Sequence, residues 1–176
     1  MSETVETLNF LVGTGGILLL AMAAALFADI VFFSRRNFSP YIERYGLLAA
    51  AGLTVGAMFM ALLYSEQFGF VPCGLCWTMR IFVFSQAFIM VTAWLRRDTT
   101  VAVYGIVLAI PGIIVGLYQH FLQFSGSDYL PCPASGGDCG KRILFEYGFM
   151  TFPLVGASML LVLLAVYIYL LKSRSQ

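Results

Sequence analysis

The sequence predicts an all-α integral membrane protein with five transmembrane helices. Three observations carry that prediction. Hydrophobic residues make up 60% of the 176-residue chain and charged residues only 11%, against about 25% charged in soluble domains. With a mean hydropathy of +0.89, too few charges remain to cover a water-facing surface. Five apolar runs occur, at 10–33, 45–64, 77–95, 101–124 and 147–171, and a helix of about 20 residues crosses a bilayer core. Basic residues gather in alternate links between these runs. A net charge of +1 with no basic patch excludes a nucleic-acid partner, so the surroundings are membrane lipid.

The first run is interrupted only by Asp29, near its end, and Arg35 and Arg36 follow it. A cleaved signal peptide is the rival reading. It is opposed by the acidic Glu3 and Glu6 ahead of the run and by the length of the apolar stretch. Asp29 is expected to snorkel to the interface. In the link that follows, Pro40 is expected to set the bend. The second run holds Gly52 and Gly56 in a G-x-x-x-G spacing, which allows close helix contact. The third carries Arg80 and, deeper, Gln86, read as helix packing. The fourth has Pro111-Gly112 near its middle, where a kink is expected. A polar stretch, 125–146, precedes the fifth run, and Lys172 and Arg174 close the chain.

Seven basic residues (Arg35, Arg36, Arg44, Arg96, Arg97, Lys172, Arg174) lie in links after runs one, three and five, against Lys141 and Arg142 on the other side. The positive-inside rule then places the amino terminus outside and the carboxy terminus in the cytoplasm. All four cysteines, Cys73, Cys76, Cys132 and Cys139, fall on the outer face, where thiols meet an oxidising environment.

Cys73 and Cys76 open the third run. At a helix start they feel the positive end of the helix dipole, which favours the thiolate. Arg80 lies four residues beyond Cys76, on the same face. Six residues separate Cys132 from Cys139, in a loop made pliant by Gly136-Gly137. Exposed or strained disulfides are the labile, oxidising ones. Three readings of the four sulfurs compete: redox exchange, two structural disulfides and a four-thiolate zinc site. A Cys-x-x-Cys ring is too short to stabilise much, and Arg80 beside the thiolates opposes a metal cation. The single histidine, His120, lies about 28 Å along the fourth helix from Val101, level with Cys76 and Arg80. It is read either as a satisfied headgroup-region residue or as a hydrogen-bond donor to a ligand carbonyl.

The segment Pro72-Cys73-Gly74-Leu75-Cys76-Trp77-Thr78-Met79-Arg80 resembles the P-C-x-L-C-x-x-x-R signature of the disulfide bond formation protein B family, DsbB and the related BdbC-type proteins. Tyr118-Gln119-His120, the second cysteine pair and Gly148–Pro153 agree with it in order. The resemblance covers about residues 45–171. It implies a four-helix transmembrane bundle core, 45–176, plus one extra amino-terminal transmembrane helix with its cytoplasmic link, 1–44. The short spacing of the second pair resembles the Gram-positive or archaeal type more than the enterobacterial one.

The resemblance also implies a mechanism. A reduced DsbA-like thioredoxin-fold thiol oxidase would attack Cys132. Cys139 would relay oxidation from Cys73 by pairing with it transiently. Cys76 would sit as a thiolate against a membrane quinone, ubiquinone or menaquinone, with Arg80 stabilising it and His120 near a quinone carbonyl. No metal is implied. The expected protein is a multi-pass, quinone-dependent thiol oxidase of the prokaryotic plasma membrane. The rival readings are a quinol-linked reductase of outer thiols and a non-catalytic scaffold with structural disulfides. A channel or transporter finds little support, because few charges lie inside the helices.

Overall fold

The computed structural model describes residues 3–33, 37–125 and 138–173. Arg35, Arg36, Cys132, the Gly136-Gly137 loop and Arg174 lie outside the described residues. Among the described residues, five helices are long and apolar enough to cross a membrane: α1 (Glu3–Phe32), α2 (Ser39–Leu62), α3 (Gly74–Arg96), α4 (Ala102–Ser125) and α5 (Phe152–Ser173). One π-helical turn, Leu63–Gln67, extends α2, and a 3-10 turn, Thr99–Val101, leads into α4.

α5 is the hub. It packs on α1, α2 and α4, and α3 closes a four-helix ring by packing on α2 and α4. α1 lies against α5 outside that ring. Correspondingly, 61% of the α5 span is buried, against 22–28% of the others. The exterior carries exposed Phe10, Leu18, Phe59, Phe88 and Ile114, while Asn9, Thr54, Gln86, Gln119 and Ser158 are buried. A protein solvated by lipid places its polar groups inside, where each finds a partner. Tyr167 Oη donates to Gln86 Oε1 at 2.8 Å, joining α5 to α3 as the packing reading of Gln86 expects.

Four local features differ from the sequence expectations. Asp29 does not snorkel: it is 2% exposed and accepts from Tyr169 Oη at 2.6 Å and Asn37 Nδ2 at 2.7 Å. Four donors from two other segments, the Asn37 and Phe38 amides included, are a better shell than a distant interface, so the carboxylate ties α1 to α5 and to the start of α2. Pro40 lies in the first turn of α2, where its missing N–H costs nothing, and it does not form the bend. Gly52 and Gly56 do not open onto a close helix contact; among the described residues, a Cβ at either would meet nothing within 4 Å. Close packing falls instead to α4, where a Cβ on Gly105 would lie 2.6 Å from the Tyr167 ring of α5 and one on Gly112 2.7 Å from Leu160.

The fourth difference is at the fifth run, where the helix begins at Phe152 rather than 147. Residues 145–151 form a two-stranded antiparallel hairpin, β1 (Phe145–Glu146) and β2 (Met150–Thr151). Tyr147 and Gly148 turn it with φ of 57° and 77°, a left-handed conformation no helix continues through. Pro111 sits inside α4, which continues through it from Ala102 to Ser125.

Candidate functional site

The site is built where α3 begins. Cys73 is its N-cap, with extended backbone (φ −76°, ψ 170°), and Cys73 Sγ accepts from the Cys76 amide at 3.2 Å. That bond satisfies one of the donors left free at a helix start and fixes the two sulfurs side by side. Cys73 is 3% exposed and Cys76 half-buried. Both are free thiols. The adjoining Cys76 sulfur, through its hydrogen bond, and then burial push the Cys73 thiol well above its ordinary value.

Gln119 comes from α4. Its Nε2 donates to Cys76 Sγ at 3.1 Å and to Cys73 Sγ at 3.3 Å. Sequence reasoning passed over it, quoting it only inside Tyr118-Gln119-His120. The signal was present: Gln119 and Gln123 are four apart on an otherwise apolar helix, so they share one face. A polar pair on one face of a membrane helix marks a site.

Arg80 lies one turn below Cys76. Its guanidinium stacks over Trp77, 5.0 Å from the ring centre, and Nη2 donates to the Ala61 carbonyl at 2.8 Å. Ala61 is where α2 approaches its π turn, a feature common at functional sites. The same carbonyl accepts from Ser65 Oγ. The cation is thus held by α2 and stands beside the thiols.

Cys76, Arg80, Gln119 and Gln123 share the wall of a cavity of about 350 Å³. The rest of its lining is apolar apart from a few hydroxyls. It runs down past Met79 and Val83 of α3 to Gly52, Leu53 and Gly56 of α2, with Val12 and Leu19 of α1 opposite. Small-molecule sites are of this kind: apolar clefts of about 300–1,000 Å³ with a few convergent polar groups. The residues fit a flat polar ring bearing a hydrocarbon chain. Cys76, Arg80 and the glutamines stand at one end, and the space left by two glycines lies at the other. Gln123 is 5% exposed, and its Oε1 has no hydrogen-bond partner among the described residues, which leaves a buried acceptor for a ligand hydroxyl.

His120 is not among the residues lining this cavity. Its Nδ1 is 2.8 Å from Thr151 Oγ1 and its ring packs on Phe124, one position round the helix from Gln119. Cys139 is 1% exposed and belongs to one packed cluster with Cys73 and Leu122. It is held in a disulfide. Because Cys73 and Cys76 are both free, that disulfide does not join the two cysteine-bearing segments. The structure brings Cys73, Cys76, Arg80 and Cys139 together, whereas Cys132 lies outside the described residues.

Comparison with known proteins gives one family. Residues 43–171 match the family described as disulfide bond formation protein DsbB. Disulfide bond formation protein C of Bacillus subtilis (strain 168) is 34% identical over 123 residues, 67% of this chain and 86% of the relative. The SPbeta prophage-derived disulfide bond formation protein B of Bacillus subtilis (strain 168) is 31% identical over 117 residues, 66% of this chain and 78% of the relative. Probable disulfide formation protein C 2 of Bacillus anthracis is 26% identical over 134 residues, 76% and 96% respectively. No solved structure matches the chain.

Proposed function

The chain belongs to the disulfide bond formation protein DsbB family of disulfide-forming membrane proteins, and from that premise we propose that it reoxidises the dithiol of a DsbA-like thioredoxin-fold partner and passes the electrons to a membrane quinone. Its place is the prokaryotic plasma membrane, with both cysteine pairs on the outer face, as the bias of basic residues supports. The observation that carries the reading is the position of the Cys73–Cys76 pair. Cys73 packs against Cys139 on one side, while Cys76 lines an apolar-walled cavity with Arg80 and Gln119 on the other.

The chain's own residues then act as follows. A partner thiolate attacks Cys132 of an oxidised Cys132–Cys139 pair, and Cys139 leaves as a thiolate. Cys139 attacks the Cys73 sulfur of an oxidised Cys73–Cys76 pair. The Cys139–Cys73 bond forms, the Cys73–Cys76 bond breaks, and Cys76 leaves as a thiolate. The second partner thiol displaces Cys132, which returns to Cys139 and releases Cys73. Gln119 Nε2, the amino end of α3 and the Arg80 guanidinium all present positive charge to Cys76 when it leaves, which is preorganised electrostatic stabilisation. A bound quinone would supply the two-electron sink as Cys73 and Cys76 give up their electrons and the Cys73–Cys76 bond re-forms, ending as quinol with two protons. Arg80, Gln119 and Gln123 are the residues that would hold its polar ring. The walls from Met79 to Gly52 would hold its chain.

The test is quinone reduction by purified protein in detergent, with a reduced thioredoxin-fold dithiol as donor and loss of quinone absorbance as the readout. Cys76→Ser, folded by its melting profile, is expected to fall to the protein-free rate. An undiminished rate would remove Cys76 from the electron path.

A further inference from the structure

α1 lies outside the matched family segment, which starts at residue 43, yet it reaches the site. Its 30 residues span about 45 Å, more than the about 30 Å bilayer core. Its amino-terminal turns contact the segment that follows Cys139. Asn9, 1% exposed, donates from Nδ2 to the Ile143 carbonyl at 2.9 Å and accepts at Oδ1 from Tyr64 Oη at 2.6 Å. One buried amide therefore bridges the segment after Cys139 and the π turn that leads to Cys73. Around it, Thr14 Oγ1 lies 2.7 Å from Tyr147 Oη. A Cβ at Gly13 would stand 2.9 Å from Glu146 Cβ, so only glycine lets the helix approach this closely. On the opposite side, Arg142 Nε donates to the Gln123 carbonyl at the end of α4 at 2.6 Å. Residues 141–147 are held between two clamps, and Cys139 sits just ahead of both.

We infer that Asn9 is a positioning residue for thiol exchange between Cys139 and Cys73, and that α1 serves this chain as the clamp that holds the Cys139 segment over Cys73. The inference rests on the relay described above. The covalent step is unchanged: a Cys139–Cys73 bond forms as the Cys73–Cys76 bond breaks. Asn9 acts by fixing Ile143, four residues from Cys139. Anchoring of that kind raises the effective concentration of one sulfur at the other. Without the bridge, Ile143 is released from α1, and a segment held there by Thr14 and Gly13 at its far end and by α4 spends less time in the reactive arrangement.

The test uses full-length protein carrying Cys76→Ser and Cys132→Ser, so that Cys73 and Cys139 are the remaining thiols. In a glutathione buffer, one oxidised glutathione converts the two thiols to a disulfide and two reduced glutathiones. The equilibrium, read by non-reducing peptide mapping, gives the effective concentration of one thiol at the other. Adding Asn9→Leu is expected to lower it at least fivefold. In the complementary Cys132→Ser, Cys139→Ser protein, the Cys73–Cys76 equilibrium is expected to move less than twofold with the same change. If Leu disrupts the fold, Asn9→Ala, which only removes atoms, is read in the same way. An equal loss in both backgrounds, or no loss in either, overturns the inference while leaving the relay intact. Failure of the Asn9-containing protein to form the Cys73–Cys139 bond at all overturns the relay and the inference with it.

Discussion

Gln119→Leu isolates the hydrogen bond that sequence reading passed over. The substitution nearly preserves side-chain size at a position 3% exposed, so packing is retained and only the amide is lost. Gln119 Nε2 is shared between two sulfurs, at 3.1 and 3.3 Å. A hydrogen bond to a charged group contributes about 1.5–3 kcal/mol, and sharing places this one at the lower end, about 1.5 kcal/mol. Each 1.4 kcal/mol is about tenfold, so the reactive thiolate at Cys76 should fall about tenfold. The assay is the alkylation rate of Cys76 by iodoacetamide at pH 5, low enough for a tenfold loss of thiolate to be read in full, in a Cys73→Ser background. Serine keeps an acceptor for the Cys76 amide at the N-cap, so the helix start is not lost with the sulfur. The sites are read by fragmentation mass spectrometry. A rate within twofold of the Gln119 protein would mean that the amide packs against the sulfurs without stabilising charge on them.

Two further outcomes follow from the cavity and the N-cap. Gly56→Leu fills space in which a Cβ meets nothing within 4 Å. It should raise KM for a long-chain quinone about tenfold, as burial of a few chain carbons is lost at about 0.8 kcal/mol each. A chain-free analogue should shift much less, and equal shifts would place the deep end of the cavity outside the binding path. The second concerns pH. The Cys73 thiol is held above its ordinary value by Cys76 and by burial, so the folded state keeps a proton that the unfolded chain releases near pH 8.5. The sign is therefore stabilising below about pH 8.5 and lost as pH rises toward the folded value. Melting temperature should fall between pH 8.5 and 10, and Cys73→Ser should flatten that fall; a slope unchanged by the substitution would contradict it.

What the sequence made legible was whatever depends on local pattern. Each of the five apolar runs lies within or overlaps a membrane-length helix, because length and hydropathy decide insertion. Cys73 and Cys76 stand at a helix start because loop residues give way there to an apolar run. The failures concern partners far apart in the chain. Gly52 and Gly56 have a packing spacing, yet they face a cavity, and the close contact goes to Gly105 and Gly112. Which glycine stripe meets a helix depends on the arrangement of all five. Asp29 looked like an interfacial residue because Asn37 and Tyr169 are invisible to it along the chain. The hairpin at 145–151 straddles the start of the fifth hydrophobic run, and hydropathy does not register the positive φ of Tyr147 that turns it. His120 and Gln119 are neighbours in sequence, but one residue of helix turns a side chain by about 100°. That rotation decides which of the two meets the sulfurs.

The N-cap at Cys73 has a consequence for observing turnover. Most helices begin with an oxygen that never changes its bonding, whereas α3 begins with a sulfur that does. In the reduced protein that sulfur accepts the Cys76 amide. Bonded to another sulfur, it is a poorer acceptor, and the first turn loses a bond that each round of exchange restores. Amide hydrogen exchange at Cys76 would then report the electron count directly from the backbone, with no dye, partner or acceptor in the sample.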